Sequence, residues 1–186
     1  MNISTGYLKS RLIKMPKDIR PTQNKIRKAI FDILQDIQGF VCLELFAGSG
    51  AIGIEAVSNG ATEVVFVDDD GRHCKLIEDN IRSLGLDSDP NSKLSILSMD
   101  AFFAVKSLYE KKRKFDIIFL DPPYYMEIAK KILKKLTLCD ILAPHGLIVV
   151  EHNRKDFLDE KIDHLICFKQ KAYGDTLLSF YRKEIA

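Results

Sequence analysis

The segment Asp121-Pro122-Pro123-Tyr124 carries the residue types that could bind and activate an exocyclic amine of a nucleobase. Proline has no N–H group, so Pro122 can present its carbonyl oxygen without a competing donor of its own. Hydrogen bonds from the amine to the Asp121 carboxylate and to this carbonyl would turn the nitrogen lone pair towards an electrophilic methyl group. Tyr124 can stack on the base. The alternative is a proline-rich turn that simply ends a strand.

A second segment, residues 44–53, ends an apolar run in a glycine-rich turn. Its glycines satisfy the pattern G-x-G-x-x-G, so a dinucleotide site with a pyrophosphate at a helix N-terminus is one interpretation. Glu44 argues against it, because a carboxylate repels a pyrophosphate but attracts an ammonium or sulfonium ion. S-adenosylmethionine carries both cations, and we expect it to contact Glu44, Phe46, Ala47, Gly48, Ser49 and Gly50. A tight turn without a ligand is the remaining alternative.

Acidic residues follow two later strands of the predicted fold. Asp68 lies close to the ~20-residue offset from the glycines at which an acidic side chain meets ribose hydroxyls. We therefore predict that Asp68 binds ribose, with Asp69 as a neighbouring donor-binding residue or part of a solvated turn. Asp100 and Ala101 come after the third strand, where the adenine amino group of the donor could be met. For Asp100 a helix cap is an equal alternative.

Positive charge is concentrated at the start of the chain. Residues 1–28 hold eight basic side chains against one acidic, a net charge of +7, so against the total of +2 the remainder carries −5. Such a segment favours binding of a polyanion. A solvated basic tail without a partner is the alternative.

Composition excludes several classes of protein. A chain of 186 residues is expected to form one domain, possibly with a small appendage. Its apolar runs are far shorter than the ~20 residues of a membrane helix, and its first ten residues lack the apolar stretch of a secretory signal, so we expect a cytoplasmic protein. The four cysteines and four histidines match neither a zinc pattern nor a redox pair, and no metal site is predicted.

The elements that must position these residues follow from apolar periodicity. A short hairpin is expected within residues 3–15, and a helix that begins after Thr22 and ends before Gly39. From residue 40 strands and helices alternate, which predicts a mostly parallel sheet with helices on both faces and ligands beyond the carboxyl ends of the strands. The predicted strands are 40–46, 64–67, 94–97, 115–120, 147–150, 165–169 and 176–181, and the helices are 52–57, 75–84, 101–111 and 128–142. Gly174-Asp175 predicts an antiparallel hairpin of the last two strands at the sheet edge.

Two resemblances to known proteins add to this interpretation. Asp121-Pro122-Pro123-Tyr124 resembles the signature of amino-methyltransferases that act on adenine N6, cytosine N4 or guanine N2. Arg20-Pro21-Thr22, Arg27, Phe31, Leu34 and the run 46–50 resemble the RsmD family, over nearly the whole chain. Members of that family methylate N2 of a guanine in small-subunit (16S) ribosomal RNA.

The resemblance implies an α/β protein with a Rossmann-like seven-stranded methyltransferase fold that uses S-adenosylmethionine. It divides the chain into an RNA-contacting hairpin and helix at 1–38 and a methyltransferase domain at 39–186. It implies 16S rRNA or the assembling small ribosomal subunit as the partner, and we expect the protein to be a monomer. The residues implied to contact RNA are Arg11, Arg20, Thr22 and Arg27.

Three other functions stay open at this point. An adenine-N6 methyltransferase acting on DNA or RNA would share the same amino-methyltransferase signature. A nicotinamide-dependent oxidoreductase would explain the glycines but leave Asp121 without a task. A non-catalytic RNA-binding or assembly protein would explain only the basic segment.

Overall fold

The computed structural model describes residues 1–16, 24–123 and 127–184. Within these ranges the chain forms five α-helices, eight β-strands and one turn of 3₁₀-helix at Leu86–Ser88. The helices are α1 (Asn24–Leu34), α2 (Ala51–Ser58), α3 (Gly71–Leu84), α4 (Ala101–Glu110) and α5 (Ile128–Leu138). The strands are β1 (Val41–Leu45), β2 (Glu63–Asp68), β3 (Lys93–Ser98), β4 (Phe115–Leu120), β5 (Leu142–Asn153), β6 (Lys161–Ile162), β7 (Leu165–Tyr173) and β8 (Thr176–Lys183).

All eight strands belong to one sheet with the order β3-β2-β1-β4-β5-β8-β7-β6. The five strands from β3 to β5 run parallel, and β8, β7 and β6 continue the sheet in antiparallel pairs. The α/β class with a mostly parallel sheet and a C-terminal antiparallel hairpin is therefore confirmed. The two-residue strand β6 adds an eighth strand, which the sequence does not predict. No described helix has both the length and the apolar character needed to cross a bilayer.

The sheet is buried on both faces because its central strands alternate between two apolar clusters. In β4, Ile117 packs into the cluster that contains α1, α2 and α3. Its neighbour Ile118 points to the opposite face, into the cluster formed with α4 and α5. The sequences of parallel strands that are covered on both faces are near-continuous apolar runs. For this reason, residues 115–120 could be predicted as a strand from the sequence.

Residues 1–16, here called the arm, differ from the expected hairpin. They form one isolated antiparallel bridge, between Asn2 and Leu12, instead of a ladder. Gly6 and Ser10 have positive φ angles of 73° and 71°, so the backbone turns where a strand would continue. The buried apolar side chains of the arm, Ile3, Leu8 and Ile13, lie in the same cluster as those of α2. The two predicted parts of the chain thus share a core, and their functional division at residue 38 stays a prediction.

Two predicted helices are too long. The first helix ends at Leu34, and Gln35 has a positive φ of 58°, which is incompatible with continuing it. The helix α5 ends at Leu138 instead of residue 142. Residues 144–146, predicted to separate this helix from the next strand, lie inside β5. Pro144 is tolerated there because the pairing with β4 is irregular between Leu142 and Leu147, where no ladder hydrogen bond is required of it.

Candidate active site

The parallel register brings the two chemically distinctive segments to one edge of the sheet. Leu45, at the end of β1, lies opposite Val67 of β2 on one side and Leu120 of β4 on the other. The segments that follow β1, β2 and β4 therefore begin at the same level along the strand direction. The glycine turn and Asp121 leave adjacent strands at this edge, as expected for a site at the carboxyl ends of parallel strands.

The turn of residues 46–50, here called the glycine loop, has an unusual backbone. Gly48 and Gly50 have φ angles of 54° and 72°, and so does the non-glycine residue Phe46, at 62°. A left-handed conformation at a bulky residue costs about 1–3 kcal/mol and persists only where surrounding contacts impose it. Here the amides of Ala47 and Gly48 donate to β2, at 3.0 Å to the Val67 carbonyl and 2.8 Å to the Asp68 carboxylate.

Glu44 lies beneath this loop and caps helix α2. Its carboxylate accepts hydrogen bonds from the amides of Ile52 and Gly53, at 3.2 and 2.9 Å. Gly53 allows this contact, because an added Cβ would lie 2.4 Å from the Phe66 ring and 2.7 Å from the Glu44 carboxylate. A pyrophosphate site needs free amides at such a helix start. In this chain an acidic side chain already takes two of them, which disfavours the dinucleotide alternative.

The charge state of Glu44 is set by its surroundings. Burial raises the pKa of its carboxyl to about 8, while the amide hydrogen bonds from Gly53 and Ile52 oppose this rise. The nearby negative charges of Asp121 and Asp68 contribute further to the raised pKa. A cationic ligand at this edge would stabilise the ionised form.

Asp68 organises the glycine loop and still offers an acceptor. One of its oxygens accepts from the Gly48 amide at 2.8 Å, and the other accepts from the Asp70 amide and lies 3.0 Å from His73 Nδ1. A carboxylate oxygen has two lone pairs, so the oxygen bound to Gly48 has capacity for one more donor, such as a ribose hydroxyl. Asp69 is exposed directly beyond it. Both remain candidates for the donor's ribose.

Two further acidic residues cap helices. Asp70 accepts from the Arg72 amide at the start of α3, and hydrogen bonds from Arg72 hold the pKa of this carboxyl well below its usual range. Asp100 accepts from the amides of Phe102 and Phe103, at 2.8 and 3.1 Å, at the start of α4. The cap alternative for Asp100 thus holds, and its exposed carboxylate remains at the same edge of the sheet. Ala101 is buried in the first turn of α4.

The segment Asp121-Pro122-Pro123 begins where β4 ends. Asp121 is half-buried, Pro122 is buried and Pro123 is exposed. Both prolines line a cavity of about 330 Å³ that continues between α5 and the loop after β5. Pockets for small ligands begin at about this size. Tyr124 lies outside the described residues.

The loop after β5 presents an aromatic side chain at this cavity. Phe157 lines the cavity and is 90% exposed. His152 binds the backbone of this loop, because its Nδ1 lies 3.1 Å from the carbonyl oxygens of Asn153 and Asp156. Since carbonyl oxygens only accept hydrogen bonds, Nδ1 must carry the proton. Its Nε2 then accepts from the Ser179 hydroxyl at 2.8 Å. Burial lowers the pKa of His152 and keeps the ring neutral.

The structure separates the residues predicted to contact RNA. Arg11 is exposed on the arm. Arg27 is completely buried in α1, where its Nε donates to Glu55 at 3.1 Å and its Nη2 donates to the Asn2 carbonyl at 2.7 Å. A guanidinium occupied in this way cannot reach a phosphate, so the prediction that Arg27 contacts RNA is wrong. Arg20 and Thr22 lie outside the described residues.

Residues that sequence reasoning missed also meet at this edge. Asn80 of α3 is fully buried and binds both the glycine loop and the arm. Neither Asn80 nor Phe157 belongs to a motif, and only the apolar period of the surrounding helix hinted that position 80 faces inwards. In the described part of the chain, no group of three or more His, Cys, Asp or Glu side chains is arranged to hold a metal ion.

The chain matches known proteins along nearly its whole length. The family described as Conserved hypothetical protein 95 covers residues 1–182. The chain is 32% identical over 186 residues to the putative rRNA methyltransferase YlbH of Bacillus subtilis, which spans 98% of this chain and 99% of that protein. It is 31% identical over 165 residues to ribosomal RNA small subunit methyltransferase D of Haemophilus influenzae, over 88% of this chain and 83% of that protein.

Solved structures agree with this relationship. A hypothetical protein of Thermus thermophilus superposes with a TM-score of 0.84 at 26% identity, over 100% of this chain and 99% of that one. The putative methyltransferase YhhF of Escherichia coli gives the same TM-score at 25% identity, over the same shares of both chains. The family match over residues 1–182 and the similarity to relatives over nearly the full length of both proteins place the chain in the RsmD family of methyltransferases.

Proposed function

We propose that this protein transfers a methyl group from S-adenosylmethionine to the exocyclic N2 of a guanine in 16S ribosomal RNA. The observation that carries the proposal is the register of β1 against β4, with Leu45 opposite Leu120. Because of it, the glycine loop and Asp121 leave adjacent strands side by side. A donor held by one can meet an amine held by the other. The rRNA methyltransferase names of the relatives support the reaction class, and guanine N2 is the finer part of the proposal.

The donor side of the site suits a cation. Glu44, Asp68 and Asp121 lie close enough to influence one another electrostatically. Asp68 offers an acceptor for ribose hydroxyls, and the loop glycines allow close approach of a ligand to the backbone. Bound S-adenosylmethionine would supply an electrophilic methyl group on a positively charged sulfur. The carboxylates attract this sulfonium, whereas the sulfur of the product S-adenosylhomocysteine is an uncharged thioether and lacks that attraction.

The acceptor side orients the attacking nitrogen. Hydrogen bonds from guanine N2 to the Asp121 carboxylate and the Pro122 carbonyl would leave its lone pair facing the methyl carbon. The bound donor would supply the methyl group to N2, with its carbon–sulfur bond breaking as the new carbon–nitrogen bond forms and the sulfur keeping the electron pair. The proton then leaves the acidic aminium for Asp121 or water. The cavity beside Pro122 and Pro123 would receive the unstacked base, with Phe157 as a stacking surface at its mouth.

The reaction can be tested with small ribosomal subunits, and the 16S rRNA extracted from them, from cells that lack the protein. We expect the purified protein to transfer labelled methyl from S-adenosylmethionine to one of these substrates, and nucleoside analysis to show N2-methylguanosine. Recovery of N6-methyladenosine instead would establish the adenine alternative. Absence of transfer to both substrates, with the RNA still bound, would favour a non-catalytic RNA-binding protein.

Asp121→Ala tests the amine-binding role directly. We expect methyl transfer to fall at least about 100-fold, because a positioned polar contact to the reacting atom is lost, while the affinity for S-adenosylhomocysteine changes little. Asp87→Ala, an exposed aspartate of the 3₁₀ turn, serves as the matched control and should retain full activity. Normal turnover by Asp121→Ala would overturn the assignment.

A further inference from the structure

Asn80 joins two parts of the molecule that the proposed function assigns to different ligands. Its side-chain amide accepts from the backbone N–H of Lys14 at 2.8 Å and donates to the carbonyl of the same residue at 3.0 Å. The same amide group also donates to the carbonyl of Ser49 at 3.1 Å. Asn80 thus binds the arm with a pair of hydrogen bonds and the glycine loop with a third.

These contacts lie at functionally important points. Lys14 stands just ahead of residues 17–23, which include Arg20, and it follows the exposed Arg11 on the basic arm. Ser49 lies in the glycine loop between Gly48 and Gly50, both of which have left-handed backbones. One rigid, planar amide therefore sets the distance between the start of the RNA-contacting segment and the loop that holds the donor.

The other described hydrogen bonds of the arm include one from Arg27 of α1 to Asn2 and one from Arg11 to Ser83 of α3. A further group goes to helix α2. The Ser4 and Thr5 amides donate to Glu55, and the Leu8 amide donates to the Ser58 hydroxyl. Asn59 is the closest parallel to Asn80, because its side-chain amide donates to Thr5 Oγ1 at 2.7 Å. Its second hydrogen bond goes to a carbonyl of its own helix instead of the glycine loop. The chain thus supplies a matched control for a specific role of Asn80.

The burial of Asn80 makes its two sets of contacts interdependent. The residue is 0% exposed, so no water replaces a partner that moves away. If Lys14 shifts, the amide loses a donor and an acceptor and stays buried without them, which is costly. The side chain is then free to turn, and its bond to Ser49 weakens. A ligand that fixes the arm therefore removes part of the cost of ordering the glycine loop.

We propose that Asn80 is a positioning residue through which RNA on the arm and S-adenosylmethionine in the glycine loop strengthen each other's binding. The inference rests on the proposed function, because it takes RNA as the ligand of the arm. Thermodynamic linkage makes the effect reciprocal, so RNA raises donor affinity by the same factor by which the donor raises RNA affinity.

The measurement is calorimetric titration with S-adenosylhomocysteine, which occupies the donor site without reacting. It is performed with the free protein and with the protein saturated by whichever substrate it methylates, small subunits or 16S rRNA from cells lacking the protein. In the wild type we expect RNA to tighten binding about fivefold or more, the usual lower range for coupled sites. The ratio of the S-adenosylhomocysteine affinity with RNA to the affinity without RNA should approach one in Asn80→Ala. Asn59→Ala should keep the wild-type ratio.

A second variant approaches the same contact from the exposed arm, in case Asn80→Ala does not fold. Lys14→Pro removes the N–H that donates to Asn80 and leaves the buried residue in place. The factor by which RNA tightens the binding of S-adenosylhomocysteine should fall in Lys14→Pro as well. A ratio of one in the wild type, or a wild-type ratio in either Asn80→Ala or Lys14→Pro, would overturn the inference. If the wild type methylates no rRNA, the proposed function fails instead, and the two failures are thereby distinguished.

Discussion

Three carboxylates within one site have three different roles, and their partners decide which. Glu44 accepts from two amides of α2 and stabilises the start of that helix. Asp68 accepts from Gly48 and holds the glycine loop to β2 while keeping one acceptor position for a ligand. Asp121 begins the segment that would bind the amine. All three lie beside the place proposed for a sulfonium ion, where each carboxyl that is ionised favours the methyl donor over the product with its neutral sulfur.

Donor selectivity should therefore depend on pH. The raised pKa of Glu44, about 8, means that the carboxyl ionises as pH increases through this value. The affinity ratio of S-adenosylmethionine to S-adenosylhomocysteine should rise about fivefold between about pH 7 and pH 9, the effect of ~1 kcal/mol of charge attraction. The amino group shared by both ligands cancels in the ratio. Paired calorimetric titrations check this, and Glu44→Gln should give a ratio that does not vary with pH over this range.

Phe157 offers a second test at the scale of one residue. Phe157→Ala should raise the KM for the rRNA substrate about tenfold, because stacking of a base on an aromatic ring contributes ~1–3 kcal/mol. The affinity for S-adenosylhomocysteine should not change. Tyr109, a half-exposed aromatic residue at the far end of α4, provides the control, since Tyr109→Ala removes a ring away from the cavity. Equal KM values for both variants would contradict a stacking role.

At the scale of elements, the arm and α1 are joined to α2 through Glu55. Its carboxylate accepts from the amides of Ser4 and Thr5 and from the guanidinium of Arg27. Both members of the Arg27–Glu55 ion pair have fully buried side chains. The pair therefore helps to hold the basic arm on the methyltransferase fold, a structural task in place of the RNA contact expected from the sequence.

Loss of this pair should destabilise the protein. Arg27→Ala leaves Glu55 buried without its cationic partner, and we expect the free energy of unfolding to fall by about 3–5 kcal/mol. Lys28→Ala removes the next basic residue of α1, whose pair with Asp32 is more than half exposed, and should cost less than about 0.5 kcal/mol. Urea denaturation followed by circular dichroism measures both. If both variants lost a similarly small free energy of unfolding, the buried Arg27–Glu55 pair would contribute no more to stability than the exposed pair.

At the scale of the whole molecule, the basic segment proposed to bind RNA is separated along the chain from the carboxylates proposed to attract the donor. The first 28 residues carry a formal charge of +7 and the remainder −5, so attraction for a polyanion is concentrated in this segment, in which Arg27 alone among the described basic side chains is buried, paired with Glu55. The negative remainder includes the carboxylates that suit a sulfonium. One chain of almost neutral total charge can thus attract an anion and a cation at neighbouring places.

The affinity for RNA should accordingly fall as the salt concentration rises. The steepness of this fall depends on the number of charged contacts to phosphate, so the loss of one contact should be measurable. Arg11→Ala removes one exposed charge from the arm, and the slope of log affinity against log salt concentration should decrease by about one. Lys111→Ala removes an exposed charge at the end of α4, at the amino edge of the sheet, and should leave the slope unchanged. Filter binding of 16S rRNA across a salt series provides the measurement. A slope that is equal in both variants and the wild type would contradict a role for Arg11.

Local patterns in the sequence were sufficient for the class of fold and for the segments that form the site. Apolar runs such as residues 115–120 predict buried strands, and the glycines at 48 and 50 predict the turn that follows β1. Strand periodicity also predicts that Asp121 and the glycine loop lie at one edge, because parallel strands align their carboxyl ends. These inferences need only neighbours along the chain.

The tertiary structure alone decided which polar groups pair. Arg27 looks like part of a basic surface in the sequence, yet it packs against Glu55, 28 residues away. The helical period places Asn80 on the inner face of its helix but does not identify its partner Lys14, which is 66 residues distant. The insertion of β8 between β5 and β7 was likewise not evident. A polar side chain takes its role from the atoms that packing places beside it, and residues remote in sequence supply those atoms.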